Sequence, residues 1–564
     1  MRPALSTHNR YASVPASPAN PGGSGPRAGV RCAAGIAIFA IALGWFSLGV
    51  ERCGIASVSC DPVSRIGSQD EAVYGREAID MAAHGNWLTP AYLGRYALNK
   101  PPLLQILAAA SVRVLGPSAW ALRLPSLIAA ALTATLIFSL LWRSHSLAAA
   151  AGATLLLLCS HLFYVFSRLS MTDMLLTLWL TLAMFVLAWD PALGRSRSIW
   201  IFSFCSGAAI LTKAAAGTLP LVALLIHSGL ARGARRPRIA RVTAVFGLAA
   251  AVALPWHLYQ LLVHTRWFIA EYVLTAHFSV GLTAPPQYSS ESHLVFYARR
   301  MFLMDPPLTL LAALALAPLA RNWRRSSVSL AWVAAALFAL FAFRYRSGYY
   351  LLPLIPASAF VAGERLSKLP RRAHPAVLAL VAVCCAIKVA SGSPVWGIPA
   401  NVRSETVAAP ALERYCGLDR GNGLILVDPD DEFYASILPI ARVRYALLGR
   451  EPPAPPIDYA SLGIWLSANQ FAQLAKWLPL YRRRLREFAL SSDAAVGTVI
   501  WVTSPKDLDL IIESHPESDF SLPARLVRNI HLSSSHRTAP SGGGRVFLLS
   551  ANLSKYSEPR PCRL

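Results

Sequence analysis

The chain has 564 residues, 55% of them hydrophobic, and a mean hydropathy of +0.44. A water-soluble fold has no interior large enough to hide that much apolar surface, so that class is excluded. The formal net charge is +24. The arginines sit in short loops between apolar blocks, which is how membrane orientation is encoded and not how a nucleic-acid duplex is gripped.

Residues 1–31 are rich in Pro, Ser and Gly, carry no acid, and read as a disordered cytoplasmic tail. Arg2, Arg10, Arg27 and Arg31 precede the first apolar block and keep the N-terminus inside. That block, Cys32 to Val50, has no clear signal-peptidase site and reads as a retained anchor. Further spans are expected near 119–142, 146–166, 171–189, 198–212, 215–231, 242–262, 300–319, 327–343, 348–363 and 374–391. With the anchor the total is about 11, which places the rest of the chain outside. The loops agree with this layout. Arg143, Arg195, Arg197, the run from Arg232 to Arg241, Arg321, Arg324, Arg325, Arg365, Lys368, Arg371 and Arg372 all fall inside. The short outer loops hold Arg168, Lys213, Arg344 and Arg346. Counting Leu103 to Leu115 as a span would reverse every later loop, so it is expected to lie on the outer surface.

The predicted fold is thus a polytopic α-helical membrane protein with a C-terminal periplasmic α/β domain. The membrane domain covers 32–395, with large periplasmic loops at 51–118 and 263–299, and the outer domain covers 396–564. Short β-like runs at Gly423 to Val427 and Val496 to Val502, with a helix-like stretch from Asn469 to Leu478, support that domain. Gly542 to Gly544 is read as a turn or linker.

The chemistry is expected in the first outer loop. Asp70 and Glu71 open an amphipathic helix whose Val73, Ala78 and Met81 can touch the membrane surface. A carboxylate there can take a proton from an acceptor hydroxyl; equally, Ser68 to Glu71 fits a capping box. Lys100 stands just before a helix that begins at Pro101 or Pro102, an end that attracts anions. The alternative is a lysine snorkelling to the interface. Arg168 and Asp173 flank an outer turn, either as an ion pair or as lining of a cavity. Lys213, Arg344 and Arg346 lie on the face that normally avoids cations, which suggests a shared anionic ligand such as a phosphorylated lipid. Tyr349 follows them. His257, His264, His277 and His293 border the second large loop in no metal-binding pattern and read as packed or solvated. Cys53 with Cys60, and Cys416 with Cys562, are disulfide candidates in an oxidising compartment. No cysteine spacing suggests a metal site.

An ordered series of short motifs runs through this region. It comprises Asp70-Glu71-x-x-Tyr74, Gly85-Asn86-Trp87-x-x-Pro90, Lys100-Pro101-Pro102-Leu103 and Arg123-Leu124-Pro125-Ser126. It continues with Arg168-x4-Asp173, Leu211-Thr212-Lys213, Pro255-Trp256 and Tyr349 to Pro356. The series resembles the bacterial branch of the membrane-embedded GT-C glycosyltransferases, which includes the lipid A aminoarabinose transferases and relatives of the protein O-mannosyltransferases. The resemblance covers roughly 32–390. It implies a polyprenyl-phosphate-linked sugar as donor, a lipid A, glycan or protein acceptor, and a site open to the periplasm of a bacterial inner membrane. It implies Asp70 as the essential carboxylate, Asp173 as a second one, and Lys100 on the lipid phosphate, with Glu71, Tyr74, Arg168, Lys213 and His277 in support. Asn99 stands where the family often has glutamate. His277 is followed by Phe278-Ser279-Val280-Gly281 where an arginine is frequent, so Arg346 or Arg344, with Tyr349, is the expected second phosphate contact. An inverting displacement needs one base and a stabilised leaving group, and no metal is obligatory for it. A lipid-linked-sugar flippase would instead place charges near the bilayer midplane and often show internal repeats. A non-catalytic scaffold gives no reason for acids and cations to gather on one face.

Overall fold

The computed structural model describes residues 28–48, 50, 69–92, 95–265, 268–283, 291–324, 326–343, 346–390, 424–427, 498–502 and 547–551. The architecture is a helical bundle. Helix α1 (Ala28–Ser47), an Ala/Ile/Leu run, packs along α4 (Ala119–Ser144). In chain order between them comes the hairpin of α2 (Gln69–His84) and α3 (Leu103–Leu115), linked by a short ribbon of β1 (Ala91–Tyr92) and β2 (Arg95–Tyr96). Ser118 caps α4 by accepting from the Ala121 amide, and Ser146 caps α5 (Leu147–Leu158) by accepting from Ala149. The bundle continues with α6 (His161–Ser167), α7 (Thr172–Trp189) and α8 (Ser196–Lys213). Then follow α9 (Leu219–Leu230), α10 (Ile239–Val263) and a wide π-type helix, α11 (Phe268–Thr283). It closes with α12 (His293–Met304), α13 (Pro306–Arg321), α14 (Ser327–Ala342), α15 (Leu354–Leu366) and α16 (His374–Ala390).

Five of these segments are long and apolar enough to cross a bilayer, or six if one bent pair is a single span. Leu254, Leu258 and Leu262 of α10 repeat every fourth residue and are all exposed. Such a stripe is stable only against lipid. The protein is a polytopic helical membrane protein.

Two expected spans change shape. The segment 146–166 is not one straight helix, because α5 and α6 meet at 65°. Ser160 hydroxyl and His161 amide both donate to the Asp305 carboxylate, at 2.8 and 2.7 Å, and Ser160 caps the new helix. The same Asp305 divides the expected span 300–319 into α12 and α13, where Pro306 restarts the helix. The expected break between 198–212 and 215–231 is present as a 3-10 turn at Ala214–Thr218. There the Gly217 backbone lies against that of Ala209 so closely that a Cβ would stand 2.2 Å from the Ala209 carbonyl oxygen. A continuous helix would separate those residues by about 12 Å, so the chain folds back.

The α2–α3 hairpin corrects another expectation. Ala78 and Met81 do not face the membrane surface; both are buried against Ala108, Ala109, Val112 and Leu122 of α3 and α4. Val73 packs on the main core. The apolar face of α2 is covered because α3 lies beside it.

Beyond the bundle, β3 (Leu424–Val427) pairs in parallel with β4 (Thr498–Val502), which pairs antiparallel with β5 (Phe547–Ala551). The first two coincide with the β-like runs read from sequence. The tail 1–27, the stretch 469–478 and Gly542 to Gly544 lie outside the described residues.

Candidate active site

Several helix ends converge near the start of α2. Asp70 is in the first turn of α2 and Asp173 in the first turn of α7. Both carboxylates therefore sit at the positive ends of helix dipoles. Lys213 is the last residue of α8, at a negative end. Lys100 lies in the loop that enters α3, which begins at Leu103 after the Pro102 cap and not at Pro101 or Pro102. Tyr349 and Tyr350 come from a 3-10 turn, Gly348–Leu351.

These groups touch in sequence-distant pairs. The Lys100 ammonium donates to the Tyr74 hydroxyl, with its nitrogen 4.8 Å from the ring centre. Lys213 donates to buried Asp173 at 2.5 Å and lies 5.2 and 5.1 Å from the Tyr349 and Tyr350 rings. The two pairs share one electrostatic neighbourhood. Lys213 interacts with Asp173, Lys100 and Asp70. Tyr74 interacts with Asp70, Glu77 and Asp173; burial first, then these anions, pushes its phenol well above the ordinary range. Two lysines and two aspartates thus form a cluster of balanced formal charge.

Glu71 is adjacent to Asp70 but turned to a different task. It takes a two-pronged contact from Arg123, at 2.7 and 2.8 Å, and a third hydrogen bond from the Ser170 amide at 2.9 Å. Arg123 also donates to the Val50 carbonyl at 2.6 Å. The ion pair is almost sealed from solvent, so it fixes α2 to α4 and to the turn before α7. Arg168 and Asp173 form no ion pair with each other. Arg168 donates to the Phe46 and Leu48 carbonyls that end α1, and to the Tyr164 hydroxyl, while Asp173 takes Lys213. The turn between α6 and α7 is held by the end of α1.

Arg346 is buried beside α12. It donates to the Glu291 carbonyl, and its guanidinium lies 5.6 Å from the Phe296 ring. His277 binds the Tyr272 carbonyl through Nδ1 and packs 4.6 Å from the Tyr272 ring, while His257 meets the Tyr272 hydroxyl at 2.6 Å. His264 packs 4.1 Å from Tyr96, and His293 binds the Phe343 carbonyl. These histidines are packing groups among the described residues, where no cluster of metal-ligating side chains occurs. Arg344, Cys53, Cys60, Cys416 and Cys562 lie outside the described residues.

Apart from Trp256, which stands in the motif series, sequence reading missed the supports of the site. Glu271 of α11 accepts from the Leu98 amide at 2.6 Å and anchors the loop bearing Lys100. Trp256 and Gln260 of α10 both donate to the Leu88 carbonyl, at 2.8 and 2.7 Å, and hold the loop after α2. Glu77, buried on α2, accepts from Gln105 of α3 at 2.8 Å. The spacing Asp70, Tyr74, Glu77 marks one helix face and was the available signal for Glu77.

Comparison with known proteins bears on this arrangement. The sequence profile of the dolichyl-phosphate-mannose-protein mannosyltransferases matches residues 99–259. An uncharacterized protein of Aquifex aeolicus is 25% identical over 53% of this chain and 59% of its own length. The undecaprenyl phosphate-alpha-4-amino-4-deoxy-L-arabinose arabinosyl transferase of Pectobacterium carotovorum is 32% identical over 35% of this chain and 36% of its own. The chain therefore spans between about one third and three fifths of the curated relatives it matches. Crystal structures of ArnT from Cupriavidus metallidurans share the fold. The apo state has a TM-score of 0.56 at 18% identity, covering 92% of this chain and 98% of that one. The state bound to undecaprenyl phosphate has a TM-score of 0.55 at 16% identity. The chain resembles the GT-C glycosyltransferases of the lipid A aminoarabinose transferase kind.

Proposed function

We propose that the protein is a glycosyltransferase that moves a sugar from a polyprenyl phosphate, undecaprenyl phosphate in bacteria, to a cell-envelope acceptor. The acceptor is lipid A, another glycan or a protein. The reaction takes place at the periplasmic face of the inner membrane, with the N-terminus cytoplasmic and residues 396–564 forming a periplasmic α/β domain. About 11 spans over 32–395 carry the site in this reading.

The observation that carries it is the meeting of Asp70, Tyr74, Lys100, Asp173 and Lys213 from four separate parts of the chain. In our mechanism Asp70 takes the proton of the acceptor hydroxyl, whose oxygen attacks the anomeric carbon opposite the phosphate. The bond from that carbon to the phosphate oxygen breaks, the anomeric configuration inverts, and the electron pair leaves on the polyprenyl phosphate. Lys100 meets that developing charge, with Lys213 and Tyr349 beside it. Tyr74 aims Lys100, and Asp173 aims Lys213. Arg346 and Arg344 add positive potential from the later outer loop, and His277 shapes its wall. Glu71 and Arg168 hold the helix ends in place.

The test is transfer of radiolabelled sugar from undecaprenyl phosphate to an envelope extract by the purified full chain. Label reaching an acceptor with native protein, and not with Asp70→Asn, supports the reading. Label that only crosses a vesicle membrane, with no acceptor modified, sinks it.

A further inference from the structure

Glu77 is a carboxyl with an unusual setting. It is 1% exposed, as is Gln105, its neighbour across the α2–α3 hairpin. Gln105 donates its amide to one Glu77 oxygen at 2.8 Å. The other Glu77 oxygen, and the carbonyl oxygen of Gln105, are buried with no hydrogen-bond partner. An ionised carboxylate with a bare buried oxygen is costly. A single proton on that oxygen turns it into a donor, and the acceptor it needs is the Gln105 carbonyl of the same pair. An acid and an amide side by side can close a ring of two hydrogen bonds, which leaves neither group unsatisfied. Two buried oxygens without partners on adjacent side chains are what protonation of the acid would resolve. In agreement, burial pushes the Glu77 carboxyl up to about 8, against the lowering effects of Gln105 and Lys100.

The charged groups that act on Glu77 are few. From the loop entering α3 comes Lys100, and α3 itself presents the uncharged Gln105. On α2, Asp80 and Asp70 both disfavour its ionisation, and Arg76 is paired with Asp80 at 2.7 Å. Tyr74, one turn away on the same face, takes the Lys100 ammonium. Glu77 is therefore placed to compete for the positive charge that our reading assigns to the lipid phosphate.

We propose that Glu77 is a positioning residue for the phosphate: held neutral by its burial in the α2–α3 hairpin, it leaves the Lys100 charge to the lipid-linked phosphate. Once ionised, it draws that charge to itself and opposes the anion. This rests on the donor reading given above.

The experiment is binding of undecaprenyl phosphate to the full chain in lipid nanodiscs, at about pH 7 and about pH 9. The ligand itself is already largely doubly ionised over that range, and Glu77→Gln controls for any other group that titrates there. Native protein loses affinity by about tenfold, the effect of one added charge at partly screened range. Glu77→Gln, which retains a paired amide, loses less than about twofold. Gln105→Met removes a hydrogen bond that favours the charged acid, so its loss of affinity moves to higher pH. Superimposable pH profiles for native protein and Glu77→Gln overturn the proposal while the donor reading stands. Absence of binding at either pH, in native protein that melts cooperatively, overturns both.

Discussion

Two groups of buried charge lie within one turn of each other, and they differ in how completely they are closed. Glu71 and Arg123 bond each other and the Val50 and Ser170 backbone, with side chains 0% and 6% exposed. Lys213 and Asp173 retain 13% and 3%, and Lys100 and Asp70 are only partly buried. A sealed pair specifies geometry, because removing either partner strands a charge. A cluster with residual access and equal numbers of cations and anions can accept another charged molecule. Adjacent residues, Asp70 and Glu71, thus divide chemistry from scaffold.

The sharpest test of that division is Asp70→Asn. It is expected to lower sugar transfer by about 10²- to 10⁴-fold, with thermal unfolding unchanged. A large drop in melting temperature would place Asp70 in the scaffold instead. Arg123→Ala is expected to do the opposite and cost about 3–5 kcal/mol of stability, read by denaturation in detergent, because Glu71 is left buried and unpaired. Removing both members, as Glu71→Leu with Arg123→Met, should recover much of that loss. Failure of the double variant to recover would show that the Val50 and Ser170 contacts matter more than the charges. Lys100→Ala should weaken binding of undecaprenyl phosphate by about 10- to 100-fold, the worth of a charge-assisted hydrogen bond, with little change in folding.

Smaller effects sharpen the boundary. Glu77 is protonated in the folded chain up to about pH 8 but ionises near 4.5 when exposed. Between those values the folded state binds the extra proton, so its contribution is complete below the lower value and lost as pH rises through the upper. Thermal stability should therefore fall across this window in native protein and flatten in Glu77→Gln. Trp256→Phe removes the hydrogen bond to the Leu88 carbonyl together with part of a buried ring, and should cost about 1–3 kcal/mol.

Much was legible before any coordinates. Apolar blocks announce a membrane protein because a helix that crosses lipid must carry its own apolar cover. The motif series named Asp70, Lys100, Asp173 and Lys213, and the fold brings them together. The capping-box reading of Glu71 had no access to Arg123, which stands 52 residues later. The membrane-facing reading of Ala78 and Met81 failed for the same reason, since a helical stripe shows that a face must be covered but not by what. Asp305, which bends α5 against α6, acts from 145 residues away.

The sequence by itself determined the solvent in which this protein lives, the residues rich in chemistry and the two C-terminal strands that its β-branched runs specify. These follow from local periodicity and from the cost of exposing apolar or charged groups. Which charges lock and which stay open to a ligand was decided by the tertiary structure alone. Neighbouring carboxylates look alike in sequence, and their roles depend on the partners that distant helices deliver and on how much water those helices exclude.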